Sequence, residues 1–283
     1  MFLVALVLGA CAADPQTSTI GRSTEGNEGT NYDQMIRIGD AARESGDMRT
    51  AVGVYRRALQ VNPTPEVHVR LGDTLSDLGA YNEAIDVYED GLDRLRNSPE
   101  EMRAPALRGI GNALLGLGQA EMALEPLNAA RGYLPDDHRI RNSLGVAYDM
   151  LGRHSEAQDM YREALAISSA SNAVRNNLGL SLALSGNYNE AIEYLRPLVH
   201  SSSATTRNRL NLALVYGLAG ETAMATRVSR VDLDDDAIRS NLNYYASLRS
   251  LPLAQRSLAI RSNSDYFPQA VPAPRPVVRE KGK

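Results

Sequence analysis

The sequence predicts an all-α solenoid of about six helix-turn-helix repeats, closed by a C-terminal capping helix. Three recurrences carry that expectation. Glycines return near every 34 residues, at Gly46, Gly79, Gly118, Gly152, Gly186 and Gly220. Each is followed five positions later by an alanine: Ala51, Ala84, Ala123, Ala157, Ala191 or Ala225. Each is also preceded by a small residue, at Gly39, Gly72, Gly111, Gly145, Gly179 and Ala213. A pair of short helices cannot bury its apolar face alone, so a periodic chain of this kind stacks its copies into an array whose members touch their neighbours.

The elements follow in order. Residues 1–10 are apolar and too short to span a bilayer, which needs about 20 residues, but they fit the apolar core of a secretory signal. They end in Leu8-Gly9-Ala10-Cys11, which resembles the bacterial lipobox. That resemblance implies cleavage before Cys11, a diacylglycerol on its thiol and an acylated new terminus. The basic region that usually opens such a signal is missing after Met1, so an earlier translation start is expected. Cys11 is the single cysteine, so no disulfide forms within the chain. More than one acyl chain gives stable anchoring. Ala12 rather than Asp after the cysteine implies, by the same resemblance, the periplasmic face of the outer membrane.

Residues 11–31 are rich in Ser, Thr, Gly and Glu and read as a flexible tether with a reach of roughly 25 Å. Residues 32–251 hold the repeats and the cap. In the first repeat Gly39 permits close approach of its two helices, Ala51 marks their crossing, Tyr55 fills the seam to the next repeat and Pro63 stops the second helix. The second repeat carries Gly72, Tyr81, Ala84 and Tyr88, and the 39 residues from Gly72 to Gly111 predict a second helix longer by a turn. Leu144-Gly145, Tyr161, Leu178-Gly179 and Leu212-Ala213 continue the pattern, with Ser229 at the usual aromatic position of the sixth repeat. Asp234-Asp235-Asp236 then opens a helix carrying Ile238, Leu242 and Tyr245 at helical spacing, with acid at the positive end of the dipole. Residues 252–283 are proline-rich and basic toward the end, and are expected to be largely disordered.

A 34-residue period of two helices is similar to the tetratricopeptide repeat, which implies a scaffold for protein partners. Composition agrees with that class. A formal net charge of −4 excludes the basic footprint of a nucleic-acid binder. Neither a phosphate loop nor a nucleophile elbow is present, and His68, His138, His154 and His200 have no metal-ligand spacing. No catalytic residue, metal or cofactor is expected.

The informative surface is the groove lined by the first helix of each repeat. Its expected lining runs from acidic, with Asp33, Asp40, Glu44, Glu66, Asp73 and Asp77, through Arg108, Asn112, Arg139, Asn142, Asn176 and Asn177. It ends apolar, with Leu180, Leu184, Leu210, Leu214 and Leu218. Asn amides both donate to and accept from the backbone of an extended peptide, and leucines supply anchor pockets. The last three leucines have a second reading, as packing beneath the capping helix.

One stretch narrows the resemblance. LNLALVYGLAG, followed by Asp232, Leu233, Ile238, Asn241, Leu242 and Tyr244, resembles the end of the TadD-type lipoprotein of the tight-adherence (Tad, or Flp) pilus system. Members usually carry proline where Asp234 and Asp235 stand. The resemblance implies a pilotin-like role, in which an outer-membrane lipoprotein binds the pilus secretin and aids its assembly. A general periplasmic scaffold that docks peptidoglycan hydrolases or outer-membrane assembly components is the alternative.

Overall fold

The computed structural model describes residues 28–262. The described chain holds fourteen α-helices and one short 3-10 helix. It divides into two compact units, one ending at Val174 and one beginning at Arg175. The signal and lipidation site expected at residues 1–11, and the tail beyond Ser262, lie outside the described residues.

In the first unit the helices come as antiparallel pairs: α1 (Glu28–Glu44) with α2 (Met48–Val61), α3 (Pro65–Asp77) with α4 (Tyr81–Arg94), α5 (Ala104–Gly116) with α6 (Ala120–Tyr133), and α7 (His138–Met150) with α8 (His154–Ile167). Helices α2, α4 and α6 also pack on the next first helix, and α5 lies between α3 and α7. First helices therefore form one layer and second helices the other.

The turn glycines close each pair. Gly79 sits at φ 78° and Gly152 at φ 77°, in the left-handed region that a Cβ disfavours. Around Gly79 the amide of Ala80 donates to the Leu75 carbonyl at 2.9 Å and that of Gly79 to Ser76 at 2.9 Å. This is a Schellman ending, which satisfies the last carbonyls of the first helix while the second begins at once. Ala51, Ala84, Ala123, Ala157, Ala191 and Ala225 are all fully buried.

The helix-pair crossings follow a rule that runs through five repeats. The first-helix glycine faces the residue sixteen positions further on, in its own repeat: Gly39 with Tyr55, Gly72 with Tyr88, Gly111 with Leu127, Gly145 with Tyr161 and Gly179 with Leu195. A Cβ at Gly72 would stand 2.5 Å from the Tyr88 ring, which leaves no space for any larger residue. Tyr55 packs on its own repeat's Gly39. Tyr88 packs on Gly72 and also reaches the next repeat, where its ring touches Gly109 of α5.

Two expectations about length are corrected. The extra residues of the second repeat do not extend α4, which has 14 residues like α2 and α6. They form the 3-10 helix Glu100–Arg103 after Pro99, whose missing amide stops a longer helix. The first helix also starts at Glu28, inside the stretch expected to be tether.

The second unit contains most of α9 (Asn172–Leu184), then α10 (Tyr188–Val199), α11 (Thr206–Ala219) and the shortened α12 (Thr222–Ser229). The expected cap is α13 (Asp235–Ser250), where Asp234 accepts the Ala237 amide at 2.8 Å as N-cap. Tyr245 enters against Gly217 of α11. Order does not fade at Pro252: the chain turns there and forms α14 (Leu253–Ser262), with Ala259 and Ile260 buried in the same core as α11 and α13.

Candidate protein-binding site

The first-helix layer begins with carboxylates that are already engaged. Tyr55 donates its hydroxyl to Asp40 at 2.6 Å, and Tyr88 donates to Asp73 at 2.6 Å. Both acids stand one position after the crossing glycine, so the ring that fills the crossing also delivers its hydroxyl to them. Burial, together with the adjacent carboxylate, pushes the Tyr55 and Tyr88 phenols well above their ordinary range. Arg70 of α3 reaches back to Asp40 at 3.2 Å, and Arg43 of α1 reaches forward to Asp77 at 2.9 Å. Three of the six acids expected at that end of the groove, Asp40, Asp73 and Asp77, are therefore tied within and between the first two repeats.

The third repeat breaks the rule. Leucine stands at 127 where its predecessors have tyrosine, so no hydroxyl is delivered to Asn112, the residue after Gly111. The Oδ1 atom of Asn112 is buried and has no hydrogen-bond partner. A buried, unpaired acceptor costs about 1 to 3 kcal/mol. Arg108 lies one turn earlier on α5, half-buried, and near enough to act on both Tyr88 and Asp137.

Other predicted residues are placed differently. Arg139 is exposed and paired with Asp137 at 2.8 Å, while Asp137 caps α7 through the Arg139 amide at 2.7 Å. Burial raises the Asp137 carboxyl, but the hydrogen bonds and charge of Arg139 outweigh it and hold the acid below its usual range. Asn142 is buried on α7 and is itself engaged. In the second unit Asn176 accepts from the Nδ2 of Asn211 at 2.8 Å, an amide contact between first helices of successive repeats. Asn177 stands beside it, with its Oδ1 3.5 Å from the Asn176 amide nitrogen. These asparagines have a structural partner, which explains why poor helix formers recur there.

The apolar end is covered. Leu180 is 8% exposed, and Leu184, Leu214 and Leu218 are buried in a cluster with Tyr245, Leu248, Ala259 and Ile260. Leu214 and Leu218 pack beneath the cap, the second of the two readings. Leu184 was expected to floor an open groove and instead lies in that same covered core; the helix responsible, α14, has too little amphipathic pattern to be seen in the sequence. Sequence reasoning does not single out Asn211 or the tyrosine-to-aspartate bonds. Those of the first two repeats have a signal, an acid directly after the crossing glycine and a tyrosine sixteen positions beyond that glycine.

Among the described residues no cluster of three or more His, Cys, Asp or Glu is placed to hold a metal ion. No helix among them is long and apolar enough to cross a membrane. What the first helices offer is polar and apolar side chains on paired helices, the chemistry of holding another chain.

The tetratricopeptide-repeat pattern matches residues 36–100, 108–173 and 152–204, more than half of the chain. The chain belongs to the tetratricopeptide-repeat family. It is similar to tetratricopeptide repeat protein 21B of Xenopus laevis, at 27% identity over 126 residues, which are 44% of this chain and 9% of that relative. The likeness therefore spans a small part of a much longer protein. Among solved structures, a thermophilic tetratricopeptide protein of Thermus thermophilus aligns with a TM-score of 0.58 and 22% identity, covering 65% of this chain and 98% of that one. PilF of Pseudomonas aeruginosa aligns with a TM-score of 0.59 and 17% identity, covering 78% and 98%. At such identities the fold is what is shared. As a tetratricopeptide-repeat protein the chain has the architecture of a protein-protein interaction scaffold.

Proposed function

We propose that this protein is a non-enzymatic, lipid-anchored assembly factor of the Tad/Flp pilus, acting at the periplasmic face of the outer membrane as a pilotin-like partner of the secretin. The observation that carries this reading is the C-terminal motif of Asp232, Leu233, Ile238, Asn241, Leu242 and Tyr244, joined in one chain to a lipobox at Cys11. The motif has a structural use that suits a family hallmark. Asp232 receives two hydrogen bonds from Arg209, at 2.6 and 2.7 Å, and one from Thr206 at 2.7 Å. Ile238 is buried, and Leu242 and Tyr244 pack against the terminal core. Acylation at Cys11 supplies location, the following stretch supplies reach, and the repeat scaffold supplies the grip. The fold likeness to PilF adds the fold alone.

On the scaffold, half-buried Arg108 is the group offered to an extended secretin segment, where a carboxylate would suit it.

The test is the membrane location and multimer state of the pilus secretin in cells lacking this protein, complemented by the intact chain or by Cys11→Ala. Loss of secretin multimers without the protein, and failure of Cys11→Ala to restore their placement, is the expected result. Normal secretin assembly in every strain would discard the pilus role. A general periplasmic scaffold for peptidoglycan hydrolases or outer-membrane assembly components would then take its place.

A further inference from the structure

One face of the first helix is buried in repeats two to four and open in repeat one. Ile38 is 47% exposed, whereas Leu71, Ile110 and Leu144, each likewise one residue before its crossing glycine, are buried. Two residues after that glycine Ala41 is exposed, while Thr74, Ala113 and Ala147 have no exposed surface. Gln34 is exposed at the position where Val67 and Ile140 are buried. The stacking is the cause. Helices α3, α5 and α7 each receive the second helix of the preceding repeat, and α1 receives none among the described residues.

The open face has the spacing of a helix pair. Gln34, Ile38, Ala41 and Ser45, all exposed, are separated by four, three and four residues, the seam along which two helices pack side by side. A repeat that ends an array alone carries a polar outer face. This one keeps an isoleucine at the centre of that face, with alanine one turn further on.

The flanks of the seam say what fits it. Arg37 and Glu44 stand on one side, seven residues apart, both exposed and neither in an ion pair among the described residues. Met35 and Ala42 stand on the other side, both partly buried. A second α1 laid antiparallel, with Ile38 opposite the partner's Ala41, sets Arg37 beside the partner's Glu44 and Glu44 beside the partner's Arg37. Met35 then meets the partner's Ala42. A parallel pairing would set Arg37 beside Ala42 and leave both charges unmatched.

We infer that the outer face of α1 is a self-association surface, and that its occupant is α1 of a second copy, paired antiparallel about a two-fold axis. The charges of α1 are complementary to themselves in that arrangement, which puts a second copy ahead of an unrelated partner. The inference does not rest on the pilus reading, and its test uses no pilus component.

One large apolar side chain per protomer makes the contact small and weak, so association is to be followed up to about 200 μM. Sedimentation equilibrium of the full chain carrying Cys11→Ala, which removes the single thiol and with it any disulfide-linked dimer, should show reversible dimers. Adding Ile38→Asp should weaken them at least about tenfold and leave helicity unchanged, because the side chain is exposed. Arg37→Glu or Glu44→Arg alone should weaken them about threefold to thirtyfold, since each reversal turns two attractions into repulsions. The two reversals together should restore dimerisation to within about threefold of the starting chain. A single monomeric species at the highest concentration, dimers indifferent to Ile38→Asp, or charge reversals that are silent or not rescued by their combination would each overturn the inference. These outcomes stand whether or not the secretin depends on the protein.

Discussion

Gly53 and Gly72 are both helical glycines, and the same substitution should move them in opposite directions. A Cβ at Gly53 meets nothing within 4 Å, so Gly53→Ala removes only the entropic penalty of glycine in a helix and should stabilise by about 0.5 to 1 kcal/mol. A Cβ at Gly72 stands 2.5 Å from Tyr88, so Gly72→Ala should cost about 1 to 3 kcal/mol. Denaturant midpoints of the two variants decide it, and a gain for both would contradict the crossing geometry. Tyr161 carries its hydroxyl bond in a different register, to an acid four positions after Gly145 rather than one. It is fully buried and donates to Asp149 at 3.1 Å, with His154 on the other carboxylate oxygen at 2.7 Å. Tyr161→Phe keeps the ring and removes the hydroxyl, so it should cost about 1 kcal/mol while leaving helicity unchanged. The glycine recurrence was legible in the sequence. The bond from Tyr161 to Asp149 was not, because no acid directly follows Gly145 and the partner depends on which side of the crossing the ring tip emerges.

At the scale of the helix pair, Ala157 fills the crossing of α7 and α8 with no exposed surface. Ala157→Leu should overpack it and cost about 1 to 3 kcal/mol; an unchanged thermal midpoint would mean that the crossing lies elsewhere. The cap is held differently. Arg209 of α11 donates to both oxygens of Asp232, which leads into α13, and the hydrogen bonds from Arg209 hold that carboxyl below its usual range against a smaller opposing effect of burial. A carboxylate depressed in the folded state stabilises fully above the unfolded value near 3.9 and loses that contribution as pH falls through the folded value. Asp232→Asn should therefore cost about 1 kcal/mol at pH 7, after discounting for solvent screening, and nothing further at pH 2. Stability curves for both proteins across that range check the sign. Prolines show how far an element can defy its local signal. Pro126 lies inside α6, where the missing amide and the ring would ordinarily bend or end a helix, yet packing of Ala123, Leu127 and Ala130 carries it through.

Across the whole molecule, stability should be assembled repeat by repeat, because in a stacked array each repeat is supported by its neighbours. Destabilising the second repeat with Gly72→Ala should raise amide exchange in α3, α4 and α5 while leaving α11 unchanged. Equal acceleration everywhere would indicate a single cooperative unit. The sequence alone determined the class of fold, the number of repeats, the turn glycines and the capping helix, because these depend on local rules: a left-handed residue after each first helix, a small residue at each crossing, an acid at a helix start. Only the tertiary structure decided which polar groups are engaged. Asp40 and Asp73 are taken by tyrosines, Asn176 by Asn211 of the next repeat, and Leu184 by the cap, while Asn112 is left unpartnered because Leu127 brings no hydroxyl. Those outcomes hinge on contacts between residues 15 to 35 positions apart, and on a final helix whose residues pack by accommodation rather than by pattern.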